Sequence, residues 1–234
     1  MAKHQTDRNQ NASLVDLGGT YDKMNAFFNR NKKVVYGVVG AIVLGVGAYL
    51  YYSNMVLAPR EKEASAMMFK AEYYFGIDSF NLALNGRGED FIGFQEIADE
   101  YGNTKAGNLA CYYAGVCYLN TGKFQEAIDM LKKFDSDDVI VGPIALGCIG
   151  DAHRELGESE EAAGYYEKAA KKNANSFTAP IYLKKAALTY EEDLQNYDKA
   201  LELYKKIQQE YGNTTEGRDV SKYIARIETM TGKQ

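Results

Sequence analysis

The first pattern along the chain is an absence of charge. From Val34 to Pro59 there is no Asp, Glu, Lys or Arg. Within it, VVYGVVGAIVLGVGAYLYY (Val34–Tyr52) is 19 residues long, close to the length a helix needs to cross hydrocarbon. Its nine Val, Ile and Leu residues together favour insertion by about 3–5 kcal/mol. Tyr36 at one end and Tyr49, Tyr51 and Tyr52 at the other suit the two membrane–water interfaces. A cleavable signal is the poorer reading. Its basic region would be 33 residues long, and Pro59 directly follows the cleavage-like Val56-Leu57-Ala58. The pattern predicts an uncleaved anchor. Basic residues near the span number four before it (Lys23, Arg30, Lys32, Lys33) and three after it (Arg60, Lys62, Lys70), a bias towards a cytoplasmic N-terminus. Gly37, Ala41 and Gly45 recur every fourth residue, with Gly40 and Ala48 beside them. Small residues so placed let a second membrane helix approach closely.

Beyond Pro59 the pattern becomes repetitive. Gly88, Gly122 and Gly157 lie 34 and 35 residues apart, and Gly93, Ala127, Ala162 and Ala200 follow at 34, 35 and 38. YYAGVCYLNTGKFQEAIDMLKKF (Tyr112–Phe134) aligns with GCIGDAHRELGESEEAAGYYEKA (Gly147–Ala169), and LKKAALTYEEDLQNYDKALELYKKI (Leu183–Ile207) forms a further unit. These units resemble the tetratricopeptide repeat, two antiparallel helices in about 34 residues. Gly115, Gly150 and Ala187 fall where a small residue admits the second helix. Gly122 and Gly157 fall where a left-handed residue ends the first. Unit one is degenerate, with Asn81 at the small position. His153 replaces the tyrosine that Tyr118 and Tyr190 supply, and unit four has one extra residue in its turn. The terminal RDVSKYIARIETM (Arg218–Met230) puts Val220, Tyr223, Ile224 and Ile227 on one helical face, predicting a capping helix. The fold class is therefore all-α: one N-terminal transmembrane helix, then a tetratricopeptide-type helical-hairpin solenoid with a C-terminal cap. The pentapeptide EYGNT occurs twice, at Glu100–Thr104 and Glu210–Thr214. It reads as punctuation between hairpins: Gly102 or Gly212 as a left-handed stop, Thr104 or Thr214 as the cap of the next helix.

Composition narrows the chemistry. The net charge of −5, with no local basic run, argues against a nucleic-acid surface. Three cysteines (Cys111, Cys117, Cys148) and two histidines (His4, His153) offer neither the ligands nor the spacing of a zinc site. LNTGKF (Leu119–Phe124) lacks the upstream glycine of a phosphate loop and has Phe124 where Ser or Thr should bind metal. DSDD (Asp135–Asp138) lacks the glycine and closing glutamate of a calcium loop. No nucleophile–base–orienter set emerges, so a non-enzymatic protein without cofactor or metal is expected. The tetratricopeptide resemblance implies a groove lined by first helices. The positions in question are Leu109, Tyr112, Val116, Leu119 and Asn120 in unit two, and Ile144, Gly147, Asp151, Arg154 and Glu155 in unit three. The Lys and Asn set with which some family members clamp a terminal carboxylate is missing. An apolar, tyrosine-bearing groove suits extended or amphipathic polypeptide.

A second resemblance covers the N-terminal half. YDKMNAFFNRNKKVVYGVVGAIVLGVGAYLYY (Tyr21–Tyr52), followed by EASAMMFKA (Glu63–Ala71), is similar to the start of YfgM-type proteins, ancillary subunits of the bacterial Sec translocon. That resemblance implies a cytosolic segment with a short amphipathic helix (1–33), a transmembrane anchor (34–58) and an exported repeat domain (60–234). It implies a single-pass protein of the bacterial inner membrane with its repeats in the periplasm. The implied partners are translocon subunits, a membrane-anchored periplasmic chaperone and exported polypeptides. Gly37, Ala41, Gly45 and Ala48 would be the helix contact in the membrane. The glycine after Tyr101 and Tyr211 departs from relatives that favour Tyr-Pro. The alternative expectation is a scaffold for an envelope or secretion complex that binds folded partners.

Overall fold

A computed structural model describes residues 17–232, and every regular element among them is helical. Residues 1–16 of the expected cytosolic segment, His4 included, lie outside the described residues. The chain divides into two compact units, residues 1–56 and 57–234.

The first unit is helix α1 (Leu17–Tyr52). Asn31 leaves helical geometry there (φ −115°, ψ 18°), at the basic edge before the apolar run. Its side-chain amide donates to the Phe27 carbonyl at 3.1 Å. The apolar run is long and apolar enough to cross a membrane, and none of its most apolar window is buried. A core helix of a soluble protein would be covered by its own fold.

The second unit begins with α2 (Ala58–Gly76), which carries Pro59 in its first turn, where the missing N–H costs nothing. Two short helices follow, α3 (Phe80–Asn85) and α4 (Phe94–Tyr101). Then come three antiparallel hairpins. They pair α5 (Lys105–Asn120) with α6 (Phe124–Lys133), α7 (Val141–Glu155) with α8 (Ser159–Lys172), and α9 (Ala179–Leu188) with α10 (Tyr197–Glu210). A short α11 (Thr215–Asp219) leads into α12 (Ser221–Thr231), which buries Ile224 and Ile227, together with Val220 just before it, over the last hairpin.

The small residues act as their spacing predicts. A methyl at Gly115 would lie 2.5 Å from Leu131 Cγ, and one at Gly150 2.7 Å from the Tyr166 ring. Ala127, Ala162, Ala187 and Ala200 are fully buried. Gly122 and Gly157 take φ of 76° and 78° at the ends of α5 and α7. In each turn an N–H closes back over six residues, from Lys123 to the Tyr118 carbonyl and from Glu158 to that of His153.

Unit four reaches the same end with its extra residue absorbed as a π-helical turn, Thr189–Asp193. Leu194 N–H donates to the Thr189 carbonyl, and Asn196 N–H closes to Tyr190 one residue later than in the other units. Gln195, at φ 52°, takes the left-handed place that glycine holds elsewhere.

Unit one departs furthest. The first helix expected around Asn81 is broken after Gly76: Asp78 takes φ 56°, and α3 has only six residues. The chain then closes a tight loop. A side chain at Gly86 would meet the Phe91 carbonyl oxygen at 2.3 Å, and one at Gly93 would meet that of Leu84 at 2.2 Å. Lys70 of α2 fastens this loop by pairing with Asp90 at 2.6 Å.

The repeated pentapeptide corrects one expectation. Gly102 is right-handed (φ −58°, ψ −17°), and Gly212 is not among the residues with positive φ. The threonines behave as expected. Thr104 Oγ1 accepts from Gly107 N–H at 2.9 Å and donates to the Tyr101 carbonyl at 2.7 Å. Thr214 does the same with Gly217 (3.0 Å) and Tyr211 (2.8 Å). The motif is therefore eight residues long, EYGNT-x-x-G. A methyl on Gly107 would lie 1.8 Å from the Tyr101 carbonyl oxygen, and one on Gly217 2.0 Å from that of Tyr211. The strict glycine is the last one, because the new helix starts against the tyrosine carbonyl.

Candidate interaction surface

The first helices of the hairpins share a face. On α5 it is the stripe Leu109, Tyr112, Val116 and Leu119, all half-buried, spaced three and four residues apart as one side of a helix requires. On α7 the corresponding stripe is Val141, Ile144, Cys148 and Asp151, and α9 adds Ile181, Lys185 and Leu188, again half-buried. The face is wholly apolar or aromatic on α5 and carries one charge on each of the next two helices, Asp151 on α7 and Lys185 on α9.

Its residues are held in different ways. Leu109, Tyr112 and Leu119 rest one side on the core. The Tyr112 ring meets Tyr113 edge-on at 5.5 Å and Phe134 at 5.4 Å. Burial, then the nearby Cys148 and Tyr113, pushes the Tyr112 hydroxyl up to about 12. Asn120 is exposed, and its amide is turned back to the Val116 carbonyl at 2.8 Å. Beside Leu109 a cleft of about 220 Å³ opens between α2 and α5, lined by Glu61, Ser65, Met68, Glu72, Lys105 and Ala106. The Glu61 carboxylate there accepts from Lys105 N–H at 2.6 Å and Ala106 N–H at 3.3 Å. It thus satisfies donors at the start of α5 that Thr104 does not reach.

Asp151 and Arg154 are engaged between repeats. Asp151 accepts from Tyr166 Oη at 2.6 Å and from Lys185 Nζ at 2.6 and 2.8 Å. Arg154 Nε donates to Asp193 at 2.8 Å and its Nη2 to Glu192 at 3.2 Å, tying α7 to the π-helical turn. Gly147 is covered by Tyr182, whose ring carbon would lie 2.0 Å from an added methyl. The structure thus keeps the four α5 residues on one stripe and gathers Asp151 with Lys185, Tyr182 and Cys148 where units three and four meet. Sequence reading missed Lys185, Tyr182 and Cys148. The signal was available in the α9 stripe, one repeat after Ile144–Asp151.

His153 does not reach back to the preceding hairpin as its tyrosine counterparts do. Tyr118 Oη donates to Gln95 on α4 and Tyr190 Oη to Glu167 on α8, at 2.8 and 2.9 Å. The shorter imidazole bonds through Nδ1 to Glu158 in its own turn at 2.6 Å and stacks on Tyr165 at 5.2 Å. Asp138 Oδ1 accepts from Ile140 and Val141 N–H, both at 2.8 Å, so this aspartate caps α7. Among the described residues no group of His, Cys, Asp and Glu could hold a metal ion. In the first unit, Gly37, Ala41, Gly45 and Ala48 are all exposed, with nothing within 4 Å of a methyl placed on Gly37 or Gly45.

Tetratricopeptide repeat models match residues 110–137 and 185–214, and a second such model matches 145–176. These segments fall on the three regular hairpins and leave α2 to α4 unmatched. The fold is similar to a crystal structure of nearly identical TPR-like repeats from Podosopora anserina. The TM-score is 0.55 at 14% identity, over 74% of this chain and 89% of that one. A single-substitution form of the same protein gives 0.55 at 13% identity with the same coverage. No curated protein sequence matches the chain. The chain carries tetratricopeptide repeats folded as a helical-hairpin solenoid, an architecture that indicates a protein–protein interaction module.

Proposed function

We propose that this is a single-span, membrane-anchored repeat protein that binds polypeptide, with no catalytic turnover. The observation that carries the reading is the pairing, in one chain, of an unburied apolar helix with a repeat unit whose α5 stripe presents Leu109, Tyr112, Val116 and Leu119. Residues 1–33 form the cytosolic segment, 34–58 the anchor and 60–234 the exported domain in the periplasm. The anchor sets location and raises local concentration, and the repeats present the binding face. The order of elements, from the basic edge through the Gly-rich span to the repeats, supports an ancillary subunit of the bacterial Sec translocon. Its partners on this reading are translocon subunits through Gly37, Ala41, Gly45 and Ala48, and a membrane-anchored chaperone or emerging chains through the α5 stripe.

The test is photocrosslinking in cells from Tyr112 and from Ala41, followed by mass spectrometry. Translocon subunits from Ala41 and exported chains from Tyr112 are the expected products. Recovery of folded subunits of one unrelated envelope machine from both positions would replace this reading with that of an assembly scaffold. Protease protection of residues after Pro59 in intact cells checks the orientation separately.

A further inference from the structure

The cleft between α2 and α5 carries one charge that the fold does not use. Glu61, Ser65, Met68 and Glu72 line it from α2, at intervals of four, three and four, which is one side of that helix. Lys105, Ala106 and Leu109 form the facing wall on α5. Met68 and Ala106 are buried and Leu109 is half-buried, so the floor is apolar. Leu109 is also the first residue of the α5 stripe, so the cleft opens directly onto that stripe. The two carboxylates are engaged differently. Glu61 is committed: besides the N–H groups of Lys105 and Ala106 it accepts from Ser65 Oγ at 3.3 Å. Glu72 is half-buried, and its carboxylate has no hydrogen-bond or ion-pair partner among the described residues. The adjacent Tyr113 feels its charge: burial first, then Glu72, raises that hydroxyl above the ordinary 10.0. Lys105 starts α5 at the Glu61 end of the cleft. Glu72 lies about 16 Å further along α2, and Lys105 makes no ion pair with it.

We infer that this cleft is a subsite for one basic side chain of the polypeptide bound on the α5 stripe. The aliphatic stem of a lysine or arginine lies over Met68, Ala106 and Leu109, and its charged head pairs with Glu72. The subsite rests on the reading of the stripe as a polypeptide-binding face, and it narrows what that face takes. Charge, floor and size together select the occupant. A half-buried carboxylate beside apolar surface is costly until a cation meets it, which sets the sign of the missing charge. The apolar floor matches the methylene stem that lysine and arginine lay along such surfaces, whereas a free hydrated cation makes no use of it. The volume, about 220 Å³, is below the roughly 300–1,000 Å³ of small-molecule sites, so the cleft takes a single side chain rather than a whole ligand. Preferred segments therefore combine an apolar run over Leu109, Tyr112, Val116 and Leu119 with a basic residue at the Leu109 end. A segment with Asp or Glu at that place meets the like charge of Glu72 and is disfavoured.

The experiment uses the full chain in lipid nanodiscs, with empty nanodiscs as the blank, and short fluorescein-labelled peptides of leucine, serine and tyrosine. Three probes differ at one position only, which is lysine, glutamine or glutamate, and binding is read by fluorescence anisotropy at low salt. The lysine peptide is expected to bind about fivefold more tightly than the glutamine peptide, the upper range for a partly exposed ion pair. The glutamate peptide should bind more weakly than either. Glu72→Gln is nearly isosteric and should abolish the lysine preference while leaving the glutamine peptide unchanged. Glu72→Lys should reverse the order, so that the glutamate peptide binds best, an exchange that a merely structural role for Glu72 would not produce. A lysine preference that survives Glu72→Gln, or an order that Glu72→Lys leaves unchanged, overturns the proposal. Equal binding of all three peptides to the parent chain also overturns it and leaves the polypeptide-binding stripe standing. Binding of none of them overturns the stripe and the subsite together.

Discussion

Thr104 and Thr214 make the same pair of bonds at different depths, and depth sets the size of a measurable effect. Thr104 is 4% exposed, whereas Thr214 is half-buried. Replacing either by alanine deletes the acceptor for the N–H of Gly107 or Gly217 and a donor to the tyrosine carbonyl. Loss of such a cap costs about 0.5–2 kcal/mol. At Thr104 water cannot replace the lost oxygen, so the cost should sit near ~2 kcal/mol, the desolvation of an unpaired N–H. At Thr214 solvent reaches the vacated space, and about 1 kcal/mol is expected. The difference of about 1 kcal/mol is a fivefold change in the unfolding equilibrium. The assay is urea unfolding of residues 57–234, a compact unit with its own core, followed by circular dichroism. Thr104→Ser and Thr214→Ser keep the oxygen and should each stay within about 0.5 kcal/mol of the parent. Equal losses for the two alanine variants, or a larger loss at Thr214, would refute the argument that burial of the cap sets its worth.

Gly107→Ala should destabilise the same fragment by about 3 kcal/mol, since backbone atoms of Tyr101 obstruct the methyl and cannot rotate away; a stability near that of the parent would show that α5 starts elsewhere. Gly150→Val should cost roughly 1–3 kcal/mol by driving the Tyr166 ring from α7, read as a shift in the urea midpoint with unchanged slope. Burial pushes Cys117 and Cys148 from the ordinary 9.0 up to about 12, and Tyr112 and Tyr190 from 10.0 up to about 12. These groups contribute their full stability below pH 9. As pH rises from 9 to 12, the unfolded chain sheds protons that the folded chain still holds. The urea midpoint should therefore fall steadily over that range, and a flat profile would contradict the burial of these groups. For Cys148 the same burial predicts slow alkylation at pH 8 and rapid alkylation once urea unfolds the unit.

Much of the solenoid was legible because its hairpins cross too closely for large side chains. Gly115, Gly150 and the buried alanines have no substitute at those crossings, so their spacing survives while the rest of each unit drifts. The apolar run was legible because no alternative places so many unburied Val, Ile and Leu residues together. Gly107 and Gly217 were missed because a glycine in the first turn of a helix leaves no trace in periodicity; only the position of the preceding carbonyl explains it. The break after Gly76 was missed for a similar reason. It depends on a left-handed aspartate, Asp78, and on a loop held by Lys70 from a different helix. The α5 stripe could be read from spacing alone. The commitment of Asp151 and Arg154 to Lys185, Asp193 and Glu192 could not, because those partners lie 34 to 39 residues away.

The π-helical turn at Thr189–Asp193 bears on how this chain can change length. A residue inserted into an ordinary helix rotates everything after it by about 100° and moves its buried face into solvent. Here one additional residue is confined between Thr189 and Asn196, and Ala200, Leu203, Tyr204 and Ile207 of α10 still face the core. A single-codon deletion within 189–193 should therefore be tolerated, turning the π turn into the six-residue closure seen from Tyr118 to Lys123 and from His153 to Glu158. The same deletion in α5 or α7 would displace every buried residue downstream of it. Among related sequences, one-residue length differences in the repeats are expected to gather at this turn, the position where the downstream fold does not register them.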